Sequence, residues 1–199
     1  MNDQEHIEKI INKTFEVIQQ VYKCQQEAHY CIGKSKKSSR ILFPKKRNGE
    51  TRISEQELRF VFVEQLNLEI KSGWDVFYSV ETPTNDTYLF SKTDEPHADP
   101  YGQSGNYDMV IYDNKFNRIA LIEFKANNST LKEYRKDFCK LNNSKENVKL
   151  KYFIQIVKNT NSGTFSNLHK KIGDNKDIFK CWSLEKEKNI TDDILNIQL

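Results

Sequence analysis

Two kinds of hydrophobic spacing alternate along the chain and predict its elements. From residue 4 to about 31, Ile7, Ile10, Ile11, Phe15, Ile18, Val21 and Tyr22 recur at three- and four-residue steps among Glu, Lys and Gln. That period gathers them on one stripe of an amphipathic helix. The stripe either packs on the rest of the chain or pairs with a second copy, and the spacing leaves both open. A second helix is predicted from Ser54 to about Lys71, ending at Gly73, with Ser54 and Glu57 as a capping box. At 100° per residue, Leu58, Val61, Phe62, Leu66 and Glu69 share one side. Glu55 lies near the centre of that stripe and Glu57 falls off it. Trp74 to Glu81 reads as a strand closed by Thr82-Pro83, followed by a long polar loop over 84–104.

The apolar runs Met109–Tyr112 and Ile119–Phe124 flank a polar turn at 113–118 and predict a β-hairpin. Next comes a helix over about 129–141, with Leu131, Tyr134, Phe138 and Leu141 as its buried row. Lys132, Arg135, Lys136 and Lys140 are assigned to its remaining surface. Tyr152–Val157, apolar nearly throughout, reads as a central strand. A helix over 165–172, an edge strand over 178–184 and a short terminal helix complete the pattern.

The hairpin carries charges where a buried strand should not. Side chains alternate across a strand, so Leu121, Glu123 and Lys125 share one face. Antiparallel pairing then brings Asp108, at the mouth of the first strand, beside Glu123 at the end of the second. Two carboxylates held close repel unless a proton or cation lies between them. Hard oxygen ligands suit Mg²⁺, with Mn²⁺ expected to substitute. A lysine two residues on can stabilise negative charge at a phosphoryl group, which is what phosphodiester hydrolysis needs. Glu55, at the start of a buried stripe, is a further acidic ligand, with Glu57 as the alternative.

Composition bounds this picture. The chain has 199 residues, 37% hydrophobic and 12% aromatic, which fits one folded domain. A net charge of +3 means that nucleic-acid contact has to come from local charge. Residues 33–53 supply it: Lys34, Lys36, Lys37, Arg40, Lys45, Lys46, Arg47 and Arg52 face one acid, Glu50, with Ile41–Phe43 as an apolar anchor. Such a strap suits phosphate contact by counterion release. Cys24, Cys31, Cys139 and Cys181 show no paired-ligand spacing, and Cys24, His29 and Cys31 lack a second ligand pair for zinc. Reduced thiols and the lack of an apolar signal or spanning segment lead to the expectation of a cytoplasmic protein without membrane contact.

Taken in order, a helix with an early acid, a strand, a strand opening with Asp108, a strand carrying Glu123-Phe124-Lys125, a helix and a strand resemble the PD-(D/E)xK nuclease superfamily. The resemblance spans about Ser54 to Val157, roughly half the chain. Glu55-Gln56-Glu57-Leu58 is similar to the Glu-x-x-Leu start of the archaeal Holliday-junction resolvases. Tyr107 stands where the motif name has Pro. The resemblance implies an α/β fold with a restriction-endonuclease-like core, a central mixed four-stranded sheet flanked by helices. It would span a single domain: an N-terminal helix (1–32), the strap (33–53), the core (54–157) and C-terminal additions (158–199). It implies that Asp108, Glu123 and the Phe124 carbonyl hold Mg²⁺, that Lys125 orients water, and that Glu55 supports the ion's water or a second ion. DNA is the implied substrate, cut to leave a 5′-phosphate, with a homodimer through the first helix left open. A catalytically silent binding module on the same fold is the rival.

Overall fold

A computed structural model describes residues 1–26, 39–90 and 95–197. The helices are α1 (Asp3–Gln26), α2 (Glu55–Lys71), α3 (Leu131–Asn142), α4 (Ser162–Ile172) and α5 (Thr191–Leu195). The strands are β1 (Phe77–Leu89), β2 (His97–Ala98), β3 (Gln103–Tyr112), β4 (Arg118–Ala126), β5 (Leu150–Val157), β6 (Phe179–Ser183) and β7 (Lys188–Asn189). The molecule is α/β. Its sheet has the order β2-β1-β3-β4-β5-β6-β7, with β4, β5 and β6 parallel and the other neighbours antiparallel.

Among the described residues the sheet has seven strands rather than the four of the expected core: β6 takes up the segment predicted as an edge strand, but β7 lies outside it, and β2 comes from the presumed loop. β1 does not stop at Pro83; it runs on to Leu89 and pairs with β3 through a register shift between Pro83 and Thr87. Proline lacks a donor, so a strand tolerates it where the ladder is already broken. Side chains stitch the break: Gly105 N–H donates to Thr84 Oγ1 at 3.0 Å, and Thr84 Oγ1 donates to Asp86 O at 2.6 Å.

Alternation along β4 and β5 divides the core into two layers. Ala120, Ile122, Phe124, Ile154 and Ile156 face α1 and α2, whereas Leu121, Phe153 and Val157 face α3, α4 and α5. The stripe of α1 is spent within the chain: Ile7, Ile10, Ile11, Phe15 and Ile18 are buried there. Glu69 of α2 ties α1 down through His6 Nδ1 at 2.8 Å and Lys9 Nζ at 2.7 Å. Leu131, expected in the buried row of α3, is 39% exposed, because α3 begins at that residue and buries Tyr134, Asp137, Phe138, Lys140 and Leu141 instead.

The described part of the strap is anchored at Phe43, which is buried against Tyr22. The Gln25 amide both donates to Phe43 O and accepts from Phe43 N–H, each at 2.8 Å. Beyond it, Lys45 and Thr51 bridge to form a small hairpin turning at Gly49, where φ is +83°. Lys34, Lys36 and Lys37, and the expected helical segment beyond Gln26, lie outside the described residues. Among the described residues, no helix is long and apolar enough to cross a membrane.

Candidate active site

The hairpin parts at one end, and the site is built in the opening. Met109 pairs with Ile122, and the register continued one step would oppose Asp108 to Glu123. There the Asp108 carboxylate replaces the ladder: the Phe124 N–H donates to Asp108 Oδ2 at 2.7 Å. Arg59 of α2 approaches Asp108 Oδ1 at 3.8 Å and pairs with Glu81 at 2.5 Å. Glu81 holds a left-handed backbone, φ +49°, on β1. A side chain in that region is strained. Here the twist coincides with Glu81 lining the opening.

Glu123 and Lys125 share the α3 face of β4, as alternation requires. The helix answers them with opposite charges at i and i+3. Lys140 Nζ contacts Glu123 and lies 3.0 Å from Asp137 Oδ1 and 2.8 Å from Asn106 O. Lys125 Nζ lies 2.8 Å from Asp137 Oδ2 and 3.6 Å from Glu55 Oε1. The stem of Lys140 passes so close to Gly105 that an added Cβ would sit 2.9 Å from Lys140 Cδ, which is why this strand position has no side chain. Asp108, Glu123, Lys125, Asp137, Lys140 and Glu81 line a polar cleft of about 360 Å³.

The electrostatics are tense. Burial pushes the Glu123 carboxyl well above its usual range, and Asp137 and Asp108 push the same way against Lys140. Burial also raises Glu55, with Asp108 and Asp137 adding to it while Lys125 opposes. Burial works to lower Lys125, but Asp137 and then Glu55 outweigh it and hold the ammonium above its ordinary value. Lys140 is raised in the same way, Glu123 and then Asp137 outweighing its burial. Both lysines therefore keep their protons at neutral pH and act here as fixed positive charges rather than bases.

Of the residues singled out in the sequence, Asp108, Glu123 and Lys125 meet in one cleft, and Glu55 reaches it through Lys125. Glu57 does not. It is buried on α2 and engaged by the Ser54 hydroxyl, so the expected capping box is replaced: Ser54 donates to the Glu57 side chain instead of accepting from its backbone. Arg40, Lys45, Lys46 and Arg47 are exposed, with Lys46 paired to Glu50 at 3.2 Å. Arg59, Glu81, Asp137 and Lys140 were missed. For the α3 pair a signal existed: Asp137 falls on the same wheel sector as Tyr134, Phe138 and Leu141, and Asp-x-x-Lys complements Glu-x-Lys. Nothing in the sequence marks Glu81.

The donors are hard oxygens, which fits Mg²⁺ or Mn²⁺ rather than a softer ion. Buried Asp137 Oδ2 makes no hydrogen bond despite its contact with Lys125, and the Glu123 and Glu55 carboxyls, raised first by burial and then by neighbouring carboxylates, are groups whose charged form a cation would stabilise. Among the described residues, however, no three His, Cys, Asp or Glu side chains are gathered as a ligand group. The pairings show part of the reason: Lys140 lies between Glu123 and Asp137, Lys125 between Asp137 and Glu55, and Arg59 between Glu81 and Asp108. Compared with known proteins, the chain matches no family model, no curated sequence and no solved structure.

Proposed function

We propose that the protein is a divalent-metal-dependent nuclease of the PD-(D/E)xK type with a restriction-endonuclease-like core, cutting phosphodiester bonds, most readily in DNA. The observation carrying this reading is the Phe124 N–H donated to Asp108, which fixes that carboxylate beside Glu123 and Lys125 where the strands part. The antiparallel run β1-β3-β4 followed by a parallel step through α3 to β5 supports the same architecture.

Asp108 and Glu123, with the Phe124 carbonyl, would hold Mg²⁺, and Glu55 stands behind Lys125 as a further acid. When bound, the ion supplies Lewis-acid polarisation of a phosphoryl oxygen and acidifies water. The chain does the rest. Asp137 aims the Lys125 ammonium, whose retained proton suits it to stabilise charge growing on the phosphate and to orient water. Lys140 pairs with Glu123, and it is the group that an ion held by Glu123 would have to displace. That pairing also favours a second reading, a catalytically silent nucleic-acid-binding module on the same fold.

Conversion of supercoiled plasmid in a Mg²⁺ or Mn²⁺ titration separates the two. Cleavage that depends on the ion, and falls by about 10²-fold or more in Lys125→Ala with DNA affinity retained, supports the hydrolase. Absence of cleavage at every ion concentration, or full activity in Lys125→Ala, rejects it.

A further inference from the structure

A second polar cleft, of about 430 Å³, opens at the carboxyl ends of β4 and β5. Lys46, Arg52 and Lys158 line it against one acid, Glu50, with Asn127, Asn128 and Asn159 between them. Its sign is opposite to that of the carboxylate cleft. The two are close along the chain: Arg52 lies three residues before Glu55, and Asn127 two residues after Lys125, at most about 10 Å of extended backbone. Parallel pairing of Lys125 with Gln155 and Ala126 with Ile156 puts both clefts toward the carboxyl ends of β4 and β5. The Lys46–Gly49 turn is held in place from behind: Arg52 N–H donates to Pro44 O at 2.8 Å and Gln26 to Thr51 Oγ1 at 2.9 Å. Asn127, at φ +57°, donates its side-chain amide to Ile53 O at 3.1 Å, joining the β4 end to the segment that carries Arg52.

Three cations against one acid, set among neutral amides beside a site suited to a phosphodiester, match the chemistry of a sugar-phosphate backbone. Cations supply the attraction, and amide and hydroxyl groups fix register. We propose that this cleft holds the nucleic-acid strand to one side of the reacting phosphate, with Lys46, Arg52 and Lys158 as its backbone contacts. The proposal rests on the nuclease reading for the location of that phosphate, but its binding chemistry is independent of cleavage. It also brings Lys158, which lies outside the strap, to the same surface as the strap's Lys46 and Arg52.

The test is fluorescence anisotropy of the full chain with a labelled DNA duplex of about 20 base pairs, in EDTA, over a salt series. Relative to the parent, the combined Lys46→Ala, Arg52→Ala and Lys158→Ala variant should bind at least tenfold more weakly at low salt. Its slope of log affinity against log salt should be shallower by about 2–3, and each single variant should account for about 0.9. Lys149→Ala, at the opposite end of β5, should leave both unchanged. A combined variant with the parent's slope and affinity overturns the proposal, as do single variants no different from Lys149→Ala. If the parent binds no duplex, the proposal also falls, and plasmid cleavage judges the hydrolase reading separately. Binding through this cleft without cleavage leaves the cleft standing and removes the hydrolase.

Discussion

At the residue scale, the defining feature is a chain of alternating charges that runs outward from the core: Glu123, Lys140 and Asp137 are buried, Lys125 is partly buried, and the Glu55 side chain at the end is 42% exposed. Glu123 is 2% exposed and Lys140 3%. Removing one member of a buried pair leaves the other uncompensated, at about 3–5 kcal/mol. Lys140→Met should therefore destabilise the chain by about that much in urea unfolding, and adding Glu123→Gln should restore a substantial part. Equal stability of parent and Lys140→Met would show that the pair carries little energy. Three of these five charges, Glu123, Lys125 and Glu55, were legible beforehand. Strand alternation forces Glu123 and Lys125 onto one face whatever the tertiary structure. Lys140 was assigned to the surface because lysine is seldom buried, and only the packing of α3 over β4, with Gly105 making room, reverses that expectation.

At the element scale, the helices followed their hydrophobic period, while β1 escaped its punctuation. Pro83 is a breaker by rule, yet a bulge accommodates it, and a bulge depends on the partner strand, which a local pattern does not contain. The first helix left two partners open, and the structure pins it to α2 through Glu69. Burial works to raise the Glu69 carboxyl, but hydrogen bonds from Lys9 and His6 outweigh it and hold it below the usual range. A carboxylate depressed in the folded state contributes stability above its unfolded pKa of about 4.3, lost as the pH falls through the lower folded value. Glu69→Gln should thus cost about 1–2 kcal/mol at pH 7, Lys9 being half exposed, and converge on the parent in strong acid. A difference that persists undiminished at low pH would locate the effect in packing instead.

At the scale of the whole molecule, the end of the sheet where β4 and β5 finish has two electrical characters. One cleft gathers carboxylates around protonated lysines; its neighbour gathers cations around amides. Net charge conceals this, since +3 is the small remainder of 31 basic and 28 acidic residues. Clusters of this kind become visible only when the ends of β4, β5 and α2 are brought together, so the strap's charge, Arg52 included, was readable in the sequence, whereas Lys158 was not grouped with it. The measurement that tests the central claim most directly is the anomalous difference map of crystals soaked in Mn²⁺. The account predicts a peak at about 2.0–2.3 Å from carboxylate oxygens of both Asp108 and Glu123, with Lys140 displaced from Glu123. A map with Lys140 still on Glu123 and no peak between those two carboxylates would contradict it.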